Sequence, residues 1–129
     1  MDRSRQYYDE FSDSYEQHRH RGYHQLIDDL EVALAQHYCH GRILEAGCGT
    51  GLILKRLAAN CAGAVGVDLS AGMLSHARDR GLLTAQGSIN TLPFPNDHFD
   101  TVVSFKVLAH IPEITQTQAE LVRVTRPGG

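Results

Sequence analysis

Three glycines that follow a short apolar run form the part of this sequence best suited to hold a small ligand. Gly47, Gly49 and Gly51 occupy every second position between an expected strand at residues 42–46 and an expected helix at residues 52–60. Glycine has no Cβ, so the chain can adopt backbone angles closed to other residues and a ligand can approach the main chain. A strand, a glycine turn and a helix in succession are typical of a small-ligand site in an α/β protein.

The charge beside this turn favours a cationic ligand over a phosphate. Glu45 lies two residues before the first glycine, where its carboxylate would repel a phosphate and would suit an ammonium or sulfonium group. The dinucleotide fingerprint Gly-x-Gly-x-x-Gly needs its third glycine where this sequence has Leu52. The helix after the turn is expected to direct unpaired N–H groups and a partial positive charge at the ligand.

Asp68 is the candidate for binding ribose hydroxyls. It lies near the end of a second apolar run, residues 64–69, and 21 residues after Gly47. An acid about 20 residues beyond the glycine turn binds ribose in nucleotide-binding α/β proteins, because a carboxylate offers two acceptor oxygens. Ser70, rather than Asp68, is the expected N-cap of the next helix.

Hydrophobic periodicity predicts the elements that must position these residues. Residues 23–39 are expected to form an amphipathic helix that packs its apolar stripe inward and turns its acidic residues to solvent. That stripe consists of Leu26, Leu30, Ala33, Leu34 and Tyr38. Further strands are expected at residues 64–69, 82–86 and 99–105, and further helices at residues 5–20, 71–80 and 113–124.

An ordered set of short motifs runs through the chain, beginning with Glu-Ala-Gly-Cys-Gly-Thr-Gly at residues 45–51. The others are Gly66-Val67-Asp68-Leu69-Ser70 with Met73-Leu74, Leu92-Pro93-Phe94, Phe99-Asp100-Thr101-Val102-Val103, His110-Ile111-Pro112-Glu113 and Arg123-Val124-Thr125-Arg126-Pro127-Gly128-Gly129. Over residues 5–129 the sequence therefore resembles the class I S-adenosylmethionine (SAM)-dependent methyltransferases.

The resemblance implies an α/β fold, a Rossmann-like, doubly wound and mainly parallel sheet with helices on both faces. Its expected strand order is 3-2-1-4, truncated after the fourth strand. Residues 1–40 would form an N-terminal helical cap segment, and residues 41–129 the SAM-binding domain. A fourth strand left at the edge of the sheet predicts self-association through that edge.

The resemblance also implies SAM as the cofactor, S-adenosylhomocysteine as the product, and a set of binding residues. Glu45 would order the turn and face the cationic methionine end, while Asp68 would bind the ribose. Ser88 stands where the family carries an acid that accepts a hydrogen bond from the adenine amino group, so a neutral hydroxyl would replace a carboxylate there. The implied cofactor-binding residues are Glu45, Ala46, Gly47, Cys48, Gly49, Gly51, Asp68, Leu69, Met73, Gly87, Ser88, Ile89 and Phe105.

Several polar residues have two interpretations each. His110 could be a general base that takes a proton from the methyl acceptor, or a histidine that fixes the loop after the fourth strand. Lys106 could point to solvent or toward an acidic substrate. The segment at residues 5–20 could pack its aromatic residues on the sheet or lie over the cofactor. In the second case, the residues that could contact the cofactor are Tyr7, Tyr8, Tyr15, Arg19 and Arg21.

Composition bounds the class of protein. The 129 residues are 42% apolar, carry a net charge of −3, and contain neither an apolar run long enough to span a membrane nor a basic run. One domain is expected, with neither a membrane nor a nucleic-acid partner. Three cysteines without a Cys-x-x-Cys pair fit reduced thiols in a cytoplasm. His18, His20 and His24 do not predict a metal site, because Gly22 interrupts their spacing and no further ligand completes the set.

The main functional hypothesis is transfer of a methyl group from SAM to an unidentified, small-molecule acceptor. One alternative is a SAM-binding module, or a shortened protein, without transferase activity, suggested by Ser88 and by the absent later strands. A second alternative is a nicotinamide-dinucleotide domain, against which Leu52 and Glu45 argue.

Overall fold

Helices and strands alternate along most of the described chain, and two strands follow each other before the last helix. A computed structural model describes residues 5, 6, 9, 22–105 and 114–129. The helices are α1 (Tyr23–Tyr38), α2 (Leu52–Ala58), α3 (Ala71–Asp79) and α4 (Thr115–Val124), and the strands are β1 (Arg42–Ala46), β2 (Gly63–Asp68), β3 (Leu83–Gln86) and β4 (Thr101–Val103). In the parts of the chain so described, no helix is both long and apolar enough to cross a bilayer.

The strands form one parallel sheet of order β3-β2-β1-β4, which confirms the expected Rossmann-like topology. β1 lies inside the sheet, and its Leu44 pairs with Val65 of β2 and Val102 of β4. Because the strands are parallel, their carboxyl ends share one edge of the sheet, where ligands bind in open α/β proteins. Glu45 and Asp68 lie near that edge.

β4 is shorter than the strand expected at residues 99–105. Phe99 instead forms an isolated parallel bridge with Thr125, just after α4. The Phe99 N–H donates to the Val124 carbonyl at 2.9 Å, and the Arg126 N–H donates to the Phe99 carbonyl at 2.8 Å. β4 itself lies at the edge of the sheet, as expected, and residues that follow α4 pair only with the segment that precedes it.

Arg123 of α4 forms hydrogen bonds with the long loop that joins β3 to β4. Its guanidinium donates to the carbonyls of Phe94 at 2.8 Å and Leu92 at 3.0 Å. The same guanidinium pairs with the Glu120 carboxylate at 2.5 Å. A planar group with five donors can serve several acceptors at once, so one side chain fixes the loop to the helix.

Among the described residues, the core consists of three apolar clusters. The first joins Leu44, Val67, Phe99 and Val124 around the sheet. The second joins the glycine turn to its neighbouring helices through Cys48, Leu54, Leu74 and Ala77. The third joins α1 to α2 through Val32, Ala35, Ile53 and Leu57. α1 thus packs on α2 across the expected boundary at residue 40. The division at that residue stays a prediction.

The expected orientation of α1 is wrong. Its large apolar residues Leu26, Leu30, Leu34 and Tyr38 are exposed, as is Ala33. Val32 and Ala35 are the buried residues, and Glu31, expected to face solvent, is half-buried. The helix carries apolar residues on two faces, so periodicity alone could not decide which face meets α2.

This orientation predicts unequal costs for truncating two side chains of α1. Val32→Ala should lower the free energy of unfolding by about 2 kcal/mol, because Val32 is 2% exposed and loses two buried carbon atoms. Leu30→Ala is the matched control and should change stability by no more than about 0.5 kcal/mol, because Leu30 is 59% exposed. Urea unfolding of both variants measures this, and a larger loss for Leu30→Ala would contradict the orientation.

Candidate cofactor-binding site

The turn between β1 and α2 has the backbone that its glycines predict. Gly47, Gly49 and Gly51 have φ angles of 78°, 56° and 84°, all in the left-handed region. A Cβ added at Gly51 would collide with the Leu82 side chain and lie 3.3 Å from the Ala77 Cβ, whereas one added at Gly49 would meet nothing within 4 Å. Packing therefore requires the glycine at position 51, while Gly49 borders open space.

Four amides of this turn already donate hydrogen bonds within the protein. The Gly47 and Cys48 N–H groups both donate to the Val67 carbonyl, at 2.7 and 3.0 Å. The Gly51 N–H donates to the Cys48 carbonyl at 3.0 Å, and the Gly49 N–H donates to the Asp68 carboxylate at 2.9 Å. The protein itself uses these donors, so an incoming pyrophosphate would not find them free.

Asp68 joins two turns at the carboxyl end of β2. Its Oδ2 accepts from the Gly49 N–H and its Oδ1 from the Ser70 N–H, both at 2.9 Å. Burial raises the pKa of Asp68, and hydrogen bonds from Ser70 and Gly49 oppose that rise. Each carboxylate oxygen can accept a second hydrogen bond. Asp68 can therefore bind ribose hydroxyls while it shapes the turn.

Glu45 is a buried carboxyl in acidic surroundings. It is 3% exposed, and within the described residues its Oε1 has no hydrogen-bond partner. Burial raises its pKa well above the usual value, the charges of Asp68 and Glu31 add to this, and the Leu54 N–H opposes it. A carboxyl in such surroundings is stabilised by a proton or by a cationic ligand.

The residues expected around adenine contribute unequally. Met73 is 3% exposed and offers little surface, whereas Leu69 is half-buried. The Ser88 hydroxyl accepts from the Asn90 N–H at 3.1 Å, and the Gly87 N–H donates to the Asp68 carbonyl at 3.0 Å. A serine hydroxyl keeps one donor and one lone pair after that bond, so Ser88 can still reach a base. Ile89, half-buried, packs against the sheet cluster.

Three further expected binding residues face the interior. The Ala46 side chain is fully buried in the sheet. The Cys48 side chain packs among the apolar residues of the second cluster, and burial raises its pKa. Phe105 packs against the cluster that joins α1 to α2. Ala46 and Cys48 can therefore serve a ligand mainly through their main chain.

Several residues that the sequence singled out lie outside the described residues. They are Lys106, His110, Tyr7, Tyr8, Tyr15, Arg19, Arg21, His18 and His20.

Sequence reasoning assigned no role to Thr50 or Asp9. Thr50 is buried in the turn, and its hydroxyl has no hydrogen-bond partner in the described ranges. The Asp9 carboxylate accepts hydrogen bonds from the Ser70 hydroxyl and from the Gly72 N–H, the latter at 2.9 Å. Thr50 lies inside the glycine motif at residues 45–51, and this position could have indicated a role for it. Nothing local could have indicated that Asp9 reaches a helix 61 residues further along the chain.

The fold is that of a Rossmann-like α/β domain with a glycine turn after its first strand. The sequence model of the family described as "methyltransferase domain" matches residues 44–129. The chain belongs to this family, the class I SAM-dependent methyltransferases.

Individual relatives agree with this assignment. The chain is 36% identical over 96 residues to a protein of Mycolicibacterium smegmatis named as a probable S-adenosylmethionine-dependent methyltransferase, covering 72% of this chain and 37% of that protein. It is 38% identical over 88 residues to a demethylmenaquinone methyltransferase of Mycobacterium sp. (strain KMS), covering 68% and 38% respectively. The crystal structure of the cyclase SpnF is similar with a TM-score of 0.82 and 25% identity, covering 98% of this chain and 57% of that one. The chain thus spans less than half the length of these two sequence relatives.

The buried carboxyl of Glu45 predicts a pH dependence of stability. The folded protein holds this proton more tightly than the unfolded chain, so the free energy of unfolding falls as pH rises from 4.5, the usual pKa, through the raised folded pKa. Glu45→Gln should remove that decline and stabilise the ligand-free protein at neutral pH by about 1–3 kcal/mol. Urea unfolding between pH 4 and 8 measures this.

Glu120→Gln is the control for this prediction because its sign is opposite. The hydrogen bond from Arg123 lowers the pKa of Glu120, so its carboxylate contributes stability above pH 4.5 that is lost as pH falls. Glu120→Gln should therefore destabilise the protein at neutral pH. A Glu45→Gln variant that is less stable than the wild type at neutral pH would contradict the assignment of Glu45.

Proposed function

We propose that this chain binds SAM at the turn between β1 and α2 and takes part in methyl transfer to a small-molecule acceptor. One observation carries the proposal: Glu45, a buried carboxyl whose Oε1 has no partner in the described residues, belongs to β1, and the open space beside Gly49 lies at the turn that follows this strand. The acidic surroundings of that carboxyl suit an ammonium or a sulfonium, and membership of the family supports SAM as the ligand.

The residues present fit the parts of such a cofactor. Asp68 offers lone pairs for the two ribose hydroxyls, and Ser88 offers one donor and one acceptor to the base. Glu45 faces the cationic end. SAM, when bound, supplies a methyl group already activated by its sulfonium. The protein therefore contributes mainly proximity and alignment, which a turn fixed by its own hydrogen bonds can supply.

The nature of the acceptor rests on a relative. A protein 38% identical to this chain is named demethylmenaquinone methyltransferase, which supports a small organic molecule rather than a macromolecule. His110 remains the candidate for a base that takes the acceptor's proton, and its role as a loop-fixing residue is the competing interpretation.

A SAM-binding module without methyl transfer is the second candidate. Ser88 replaces the expected acid, and its hydroxyl already closes a turn with Asn90, which weakens the adenine side of the site. Production of S-adenosylhomocysteine in a panel of small acceptors would favour the transferase, whereas binding of SAM without turnover would favour the module. A nicotinamide dinucleotide is disfavoured because four amides of the turn are already bonded.

Isothermal titration calorimetry of the intact chain tests the site. We expect heat from S-adenosylhomocysteine and none from NADH. Gly49→Ala should weaken S-adenosylhomocysteine binding at least about tenfold, since its methyl group enters the open space, and should lose about 1–2 kcal/mol of stability to a positive φ.

Gly81→Ala is the matched control for Gly49→Ala. Gly81 has a φ of 82°, and a Cβ there also meets nothing within 4 Å, but it follows the far end of α3. It should lose similar stability and keep wild-type affinity. Clean titration of NADH with no heat from S-adenosylhomocysteine would overturn the proposed function, and equal affinity of both variants would move the ligand away from Gly49.

We also propose that two copies of the chain associate through β4. This strand pairs with β1 on one side, while the Thr125 bridge occupies only the segment that precedes it. An unpaired strand edge is a template for pairing with another chain. Gel filtration with light scattering should give the mass of a dimer, and a monodisperse monomer would contradict this proposal.

A further inference from the structure

Three parts of the protein meet at Ser70, which is 1% exposed. Its N–H donates to Asp68 Oδ1 at 2.9 Å, which ties it to the end of β2. Its hydroxyl oxygen accepts from the Met73 N–H at 3.1 Å, which caps α3. Its hydroxyl hydrogen is donated to Asp9, which lies before α1. The N–H and the hydroxyl of Ser70 are thus each committed to a different part of the chain.

Asp9 binds the first turn of α3 at two points. One of its oxygens, Oδ1, accepts from both the Ser70 hydroxyl and the Gly72 N–H. Those two hydrogen bonds lower the pKa of Asp9, so the group is an anion at neutral pH. A negative charge at the start of a helix is stabilised by the helix dipole, and hydrogen bonds to an anion are stronger than neutral ones.

We propose that Asp9 is a positioning residue that couples the segment of chain before α1 to the ribose-binding carboxylate of Asp68. The two carboxylates hold the same residue from opposite sides, Asp68 by the Ser70 N–H and Asp9 by the Ser70 hydroxyl. This inference rests on the proposed function in one respect, the binding of ribose by Asp68. The contact between Asp9 and Ser70 stands without it.

The coupling has a direction that follows from charge. Burial is the main cause of the raised pKa of Asp68, and the charge of Asp9 adds to it. The two anions therefore repel each other while Ser70 holds both. Hydroxyl donors on Asp68 disperse its charge and offset that repulsion. A bound nucleoside thus favours the contact of Asp9 with Ser70. By linkage, that contact favours binding of the nucleoside to the same extent.

The first experiment measures both sides of this linkage with S-adenosylhomocysteine. Asp9→Ala should raise the dissociation constant of S-adenosylhomocysteine about tenfold, a typical coupling between two linked sites. Hydrogen exchange should show that the ligand protects the peptide containing Arg5, Gln6 and Asp9 in the wild type but not in Asp9→Ala. Asp9→Asn keeps an acceptor oxygen at the same place and should restore part of the affinity.

Asp79→Asn is the matched control because it removes one negative charge at the opposite end of α3, where Asp79 is exposed. It should bind S-adenosylhomocysteine as the wild type does. Wild-type affinity in Asp9→Ala, or equal ligand protection of the N-terminal peptide in both proteins, would overturn the coupling.

A double-mutant cycle separates this proposal from the proposed function. Thermal unfolding of ligand-free Asp9→Ala, Ser70→Ala and the double variant should be non-additive, whereas Asp79→Asn with Ser70→Ala should be additive. If the wild type gives no heat with S-adenosylhomocysteine while the first cycle is non-additive, the proposed function fails and the contact stands. An additive first cycle would overturn the role of Asp9 whatever the ligand.

Discussion

The Asp68 carboxylate is the constraint on which the site depends. It accepts the Gly49 N–H on one oxygen and the Ser70 N–H on the other, so it links the turn after β1 to the start of α3. Two loops that leave neighbouring parallel strands are therefore held together by one partly buried anion. Hydrogen bonds to an ionised acceptor are stronger than neutral ones, and partial burial reduces their competition with water. The shape of the site is thus established before a ligand arrives.

Negative charge without a balancing cation among the described residues is the second feature of this turn. The Glu45 carboxyl is buried beside the charges of Asp68 and Glu31, and burial dominates its raised pKa. Several amides that would otherwise receive an anion are bonded to Val67, Cys48 and Asp68 instead. These acidic side chains and occupied donors disfavour a pyrophosphate at this turn and are compatible with a cation.

The sequence predicted those features that local pattern controls. The bounds of β1 were predicted correctly because an apolar run ends at a glycine turn, and Ser70 was correctly predicted as an N-cap. The orientation of α1 and the length of β4 depend on which distant residues pack or pair, such as Thr125 with Phe99. The bonding of the turn's own amides also depends on a distant residue, since the Val67 carbonyl accepts from two of them. The contact of Asp9 with Ser70 has no local signal at all.

Gly49 and Gly51 lie two residues apart and share a left-handed backbone, yet an added side chain would meet different surroundings at each. A side chain at position 51 would strike Leu82 and Ala77, so its exclusion protects the assembly of α2 against α3. A Cβ at position 49 would meet nothing within 4 Å, so packing does not exclude a side chain there. In a survey of natural or random variants, changes at position 51 would be lost through low abundance. At position 49 the cost in stability would come only from the positive φ.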